Sequence, residues 1–154
     1  MKIIPIIISI FIAQLAGIIG SIFTFISVKT WYANLIRPGW NPPSWLFGPV
    51  WIILYILMGV AAYFVWQNKD IPLAKLALFF YGLQLLLNAL WPIIFFGFKN
   101  PGLAFIEIII LSIFIIITTV LFWKINTHAG ILLLPYILWT LFATFLNYAI
   151  WRLN

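Results

Sequence analysis

The chain has 154 residues, of which 66% are hydrophobic, 19% aromatic and only 6% charged, with nine Trp, no Cys and two acidic side chains. A mean hydropathy of +1.21 excludes an ordinary water-soluble domain, which is about half apolar and about a quarter charged; the lack of Cys excludes disulfides, thiol nucleophiles and Cys-ligated metal. The formal charge of +6 comes from Lys and Arg scattered singly along the chain, which points to a membrane surface and away from nucleic acid.

Lipid admits only helices and closed barrels as spanning structures. The apolar runs here are long and lack the residue-by-residue alternation of barrel strands. At about 20 residues per span, the length predicts an all-α integral membrane protein, multi-pass, with a five-transmembrane-helix bundle forming a single domain over 1–154. The first predicted span, 3–28, carries no charge between Lys2 and Lys29. It is too long for a signal-peptide apolar region and has no clean small-x-small cleavage site. A long loop, 29–43, follows, with Trp31, Tyr32, Arg37, Pro38, Gly39, Trp40, Asn41 and Pro42, and its Pro and Gly content argues against helix. The second span is 44–66 and ends in the polar turn QNKDIP; the third is 73–96. Lys99 and Asn100 then precede Pro101, a residue suited to the first turn of a helix. The fourth span is 103–123, KINTHAG forms the next turn, and the fifth span is 131–151.

Five spans put the two termini on opposite sides. Lys2, Lys69, Lys75 and Lys124 fall on one side, and Lys29, Arg37, Lys99 and Arg152 on the other. Charge therefore does not set the orientation. In the first span Ala13, Gly17 and Ser21, and likewise Ala16 and Gly20, repeat every four residues. That pattern permits close helix approach, within the bundle or across a homodimer.

Polar groups inside a membrane are the informative ones, because lipid offers them no partner. Gln84, Asn88 and Trp91 share one face of the third span, and Tyr136, Trp139, Ala143 and Asn147 form a stripe on the fifth. Trp51 and Tyr55 lie one turn apart on the second span, with Trp51 about 10 Å below the surface of the long loop. Trp31, Trp40, Trp45, Trp66, Trp123 and Trp151 sit at span ends and read as headgroup anchors, an account that does not extend to Trp51, Trp91 and Trp139. The three walls converge in one leaflet on a predicted pocket. Flat aromatic faces and a few neutral donors suit a planar, largely apolar ligand. Gln84 and Asn147 serve equally well as interhelical hydrogen-bonding glue, whereas Asn88 leans toward ligand contact. Arg37 and Lys29 stand at the mouth, where they pair with a ligand carboxylate or with lipid phosphate. The only His, His128, lies at the opposite surface, so haem ligation is disfavoured. Glu107, about one turn into the fourth span, is a functional candidate as an intramembrane acid, but its shallow depth favours snorkelling to the interface or pairing with Lys99. No Ser-His-Asp set, paired carboxylates or P-loop is present, so any chemistry falls to the aromatics, with Trp51 and Trp139 as electron donors to an excited or oxidised ligand.

The stretches RPGWNPPSWLFGPVWIILYILMG (37–59), QLLLNALW (84–91) and PYILWTLFATFLNYAIWR (135–152) closely resemble the TspO/MBR family, the tryptophan-rich sensory proteins and translocator proteins, also called peripheral-type benzodiazepine receptors. The resemblance spans essentially the whole chain. It implies a five-helix, usually homodimeric receptor or transport protein that requires no cofactor and binds protoporphyrin IX as ligand or substrate. Isoquinoline carboxamide and benzodiazepine-type drugs, and in many members sterol, are further implied ligands. Carried over by position, the pocket includes Tyr32, Trp51, Asn88, Trp139, Phe142 and Ala143, with Trp51 and Trp139 tied to light- and oxygen-dependent porphyrin degradation. Together with Tyr55, Gln84, Trp91 and Asn147 from the stripes above, these form the expected ligand-binding set. Leu146, Tyr148 and Arg152 match the family's sterol motif, a hypothesis-grade pattern. Transport of porphyrin or sterol, and ligand sensing without turnover, are the alternative functions.

Overall fold

The computed structural model describes residues 2–154. Its helices are α1 (Ile3–Ser27), α2 (Ser44–Trp66), α3 (Pro72–Pro92), α4 (Pro101–Ile125), α5 (Thr127–Leu132) and α6 (Leu134–Leu153). A 3-10 turn (Tyr32–Asn34) interrupts the long loop, and a π-helical turn (Ile93–Gly97) extends α3. With α3 running on to Gly97 and α5 continued by α6, five helical segments are long and apolar enough to cross a membrane. The chain is an integral, multi-pass membrane protein.

Proline and asparagine punctuate these spans. Pro72 and Pro101 open α3 and α4, where a missing N–H costs nothing. The Asn100 side chain accepts from Leu103 N at 3.0 Å and caps α4. The KINTHAG segment is mostly helical, contrary to the expected turn. Only Asn126 is extended, at φ −150°, and its side chain caps α5 by accepting from Ala129 N at 3.2 Å. The fifth span therefore begins at Thr127, ahead of the expected residue 131, and breaks at Leu133, just before Pro135. Pro92 removes another backbone donor, and α3 widens there: Phe98 N reaches back five residues to Ile93 O at 2.9 Å.

α1 packs on α2 and α3, α3 on α4, and α4 on α5 and α6; α2 meets α5 at one end of the bundle. Along most of their length α2 and α6 hold their backbones apart and touch through aromatic side chains. The small residues of α1 serve packing inside the bundle. Ala13, Ala16 and Gly20 are buried, Gly17 faces the Tyr55 ring, Gly20 faces the Pro92 ring, and the Ile10 backbone lies against Gly59. Trp40, Trp45, Trp66, Trp123 and Trp151 are exposed at the span ends, as anchors require. The long loop is fastened to the end of α6. Ile36 N donates to Asn154 Oδ1 at 3.0 Å, and Asn154 Nδ2 donates to Ile36 O at 2.8 Å and to Ile150 O at 2.8 Å.

Gly59→Ala is expected to destabilise the bundle by about 1–3 kcal/mol, because the added methyl meets backbone rather than a movable side chain. Gly48→Ala, in open space on the same helix, is the control. Thermal unfolding followed by Trp fluorescence separates them, and equal midpoints would refute the tight α1–α2 contact.

Candidate functional site: an aromatic cage above a polar relay

Three helices contribute to a directional chain of hydrogen bonds buried in the bundle. The Tyr55 hydroxyl donates to Asn88 Oδ1, Asn88 Nδ2 donates to the Tyr136 hydroxyl at 2.7 Å, and that hydroxyl donates to Gln84 Oε1 at 2.7 Å. Gln84 Nε2 then points at Met58 Sδ, 4.0 Å away. Tyr55, Gln84, Asn88 and Tyr136 are all buried. Gln84 and Asn88 thus spend their main polar groups on protein partners, which is the glue reading of the sequence. They also fix the rings of Tyr55 and Tyr136, and those two rings support Trp51.

Trp51 stacks on Tyr55 with ring centroids 5.6 Å apart and meets Tyr136 edge-on at 6.2 Å. Farther toward the long loop, Phe47 of α2 meets Trp139 of α6 at 5.9 Å. Trp139 contacts Phe142 at 5.4 Å, and Trp40 of the loop closes on Phe142 at 5.8 Å. Ala143, half-buried on α6, packs with Trp139 against the main core. The indole N–H of Trp139 is buried without a hydrogen-bond partner. The cage therefore combines flat apolar faces with a buried, unpartnered indole N–H. Phe47 and Trp40 complete it and were absent from the expected set, while Tyr136 belongs to the wall expected on the fifth span. For Phe47 a signal existed, since it lies one turn before Trp51 on the same face; Trp40 is placed only by the loop's path.

The remaining predicted residues divide. Trp91 stacks on Phe95 at 4.8 Å and donates from Nε1 to Asn147 Oδ1 at 2.9 Å, while Asn147 Nδ2 donates to Pro101 O at 2.8 Å. This pair ties α3 and α6 to the start of α4 and is separate from the relay. Tyr32 is buried against Phe95 and Phe96, under the Arg37 guanidinium, and its hydroxyl donates to Asn41 Oδ1 at 3.2 Å. In the sterol motif Leu146 is buried while Tyr148 and Arg152 are exposed, so the three do not share one surface. Glu107 departs from expectation. It is 5% exposed, and neither carboxylate oxygen has a hydrogen-bond partner, so the expected pair with Lys99 is not formed. The cause is rotational: Ala104, Glu107, Ile108 and Leu111 make up the inward face of α4.

Five spanning helices, with an aromatic cage over a buried polar relay, define a multi-pass membrane protein of the tryptophan-rich kind. The TspO/MBR family model matches residues 9–152, and the chain belongs to that family. It is 44% identical to the tryptophan-rich protein TspO of Archaeoglobus fulgidus over 154 residues, covering 100% of this chain and 99% of the relative. It is 40% identical to the human translocator protein over 143 residues, 92% of this chain and 85% of the relative. The tryptophan-rich sensory protein of Cereibacter sphaeroides is 41% identical over 124 residues, 80% of this chain and 77% of the relative.

Tyr136→Phe is expected to lower stability by about 1–3 kcal/mol, since it strands Asn88 Nδ2 and Gln84 Oε1 in the core. Tyr148→Phe, at an exposed position, is expected to stay within about 0.5 kcal/mol. Equal thermal midpoints for the two variants would refute the relay. Glu107→Gln is expected to raise the thermal midpoint, because it removes a buried acid that no group pairs. A fall would reveal a partner for the carboxylate.

Proposed function

We propose that this protein binds a porphyrin, protoporphyrin IX first among them, in the aromatic cage between α2 and α6, and promotes its breakdown in light and oxygen. The observation that carries the reading is the placement of Trp51 and Trp139 on two helices joined by aromatic contacts rather than by close backbone packing. A flat ring system replaces such contacts with stacking of equal quality. The unpartnered Trp139 N–H orients it, in the manner of the few polar groups in an apolar site. Each indole is also an electron donor to an excited or oxidised ring. In this reading the Tyr55–Asn88–Tyr136 relay holds the floor of the cage rigid, and the loop tied down through Asn154 covers it. Isoquinoline carboxamide and benzodiazepine-type drugs, flat and apolar, compete for the same cage. A homodimer is the proposed assembly, and native mass spectrometry of the detergent-solubilised protein tests it.

The purified protein is mixed with protoporphyrin IX, and Trp fluorescence and porphyrin absorbance are followed in the dark and then under illumination. Saturable quenching in the dark, followed by protein-dependent loss of the porphyrin band, is expected. In the Trp51→Phe, Trp139→Phe double variant the light-driven loss is abolished while dark affinity falls by less than about tenfold, roughly 1.4 kcal/mol, because Phe keeps much of the stacking. Undiminished loss in the variant refutes the redox role of the two Trp. Absence of saturable quenching in the native protein refutes porphyrin binding.

A further inference from the structure

The long loop holds a second concavity, outside the cage. Leu35, Arg37, Asn41, Ser44 and three prolines line an open surface depression of about 450 Å³ at the mouth of the bundle. Arg37 is its one cation. Its guanidinium lies over the Tyr32 ring, 5.1 Å from the centroid. Tyr32 is buried, and its hydroxyl donates to Asn41 Oδ1 at 3.2 Å, while Asn41 Nδ2 donates to Pro42 O at 3.0 Å. The ring that carries the cation is thus fixed by the loop's own bonds. A guanidinium drawn to an aromatic face by cation–π attraction keeps N–H donors for a planar anion.

The chain has only two acidic side chains. Asp70 lies in the turn between α2 and α3, at the opposite membrane surface, and Glu107 is buried in α4. Neither acidic side chain is therefore placed to neutralise Arg37. Lys29, the other cation expected at the mouth, does not line the cavity. The concavity adjoins the cage: Trp40, which stands between Pro38 and Asn41 in the loop, packs on Phe142, and Phe142 packs on Trp139.

We propose that this concavity is a carboxylate site. It binds the acid group of an amphiphile whose flat apolar part occupies the cage, with the Arg37 guanidinium edge as the principal donor and the Ser44 hydroxyl as a second. The assignment rests on the cage reading above and adds to it a selection for anionic over neutral planar ligands. An anionic lipid headgroup offers similar chemistry through its phosphate, so the test distinguishes the two sources.

Dissociation constants of protoporphyrin IX and its dimethyl ester are measured by Trp quenching in phosphatidylcholine nanodiscs, for the native protein, Arg37→Gln and Arg37→Lys. The native protein is expected to prefer the free acid by about tenfold, the scale of one charge-assisted hydrogen bond at a partly exposed site. Arg37→Gln erases the preference, and Arg37→Lys, which keeps the charge but not the planar fork, retains part of it. The ester reports on the cage alone and so shows whether the loop is intact in each variant. Equal binding of acid and ester by the native protein, or an undiminished preference in Arg37→Gln, overturns the carboxylate site while leaving the cage standing. Failure of both compounds to bind the native protein overturns the cage reading and the carboxylate site with it. In phosphatidylglycerol-rich nanodiscs a preserved preference supports the ligand carboxylate. Its loss from the native protein, with Arg37→Gln unaffected by the lipid change, assigns the cavity to lipid phosphate and overturns the proposal.

Discussion

Hydrocarbon offers no hydrogen bonds, and a polar side chain placed in a membrane helix must find its partner within the protein. In this bundle that requirement organises the interior. Asn88 and Gln84 on α3 are satisfied only where the hydroxyls of Tyr55 from α2 and Tyr136 from α6 reach them. Three helices are thereby brought into one register at one depth. Asn147 acts similarly a little farther along, joining Trp91 of α3 to the backbone of Pro101. Helices in lipid gain no hydrophobic driving force from one another. Close packing at Gly17, Gly20 and Gly59, together with these hydrogen bonds, supplies the specificity that apolar contact alone does not.

The relay bears directly on the cage. Trp51 rests on Tyr55 and against Tyr136, the two rings whose hydroxyls Asn88 holds. On the loop side the cage has no such polar support. Phe47, Trp139, Phe142 and Trp40 pack on one another through ring edges and tilted faces. The covering loop is retained by the Asn154 side chain and by the bond between Tyr32 and Asn41. The polar floor and the aromatic roof held by few bonds are the features on which the proposed binding of a large flat guest rests. Glu107 stands apart from both, buried on α4 with no partner.

Much of this architecture is legible along the chain. Span two was expected at 44–66 and is observed at Ser44–Trp66, and span one differs by a single residue at its end. Both are bounded by abrupt changes from apolar to polar or Pro-rich sequence, and the transfer energy of each residue is a local property. The start of span five was misplaced because Thr127, His128 and Gly130 look like a turn, whereas the Asn126 side chain caps a helix there. The π turn after Pro92 depends on how the chain recovers a lost hydrogen bond, and composition does not encode that. Faces of Trp51, Asn88 and Trp139 follow from helical periodicity, and so does the polar character of the site.

Composition and periodicity by themselves determined the membrane setting, the five spans, the absence of thiol chemistry and the aromatic and amide residues that stand on shared helix faces. The recurrence of particular residues at particular spacings determined the TspO/MBR resemblance. Only the tertiary structure decided which partner each polar group takes: that Asn88 joins Tyr55 to Tyr136, that the small residues of α1 pack inward, that Glu107 turns into the bundle, and that Arg37 rests on Tyr32 at the edge of a cavity. The physical reason is that burial and periodicity act residue by residue along one helix, whereas a hydrogen bond or a ring contact is a relation between helices. It depends on their rotation and relative depth, which are set only when all five have packed.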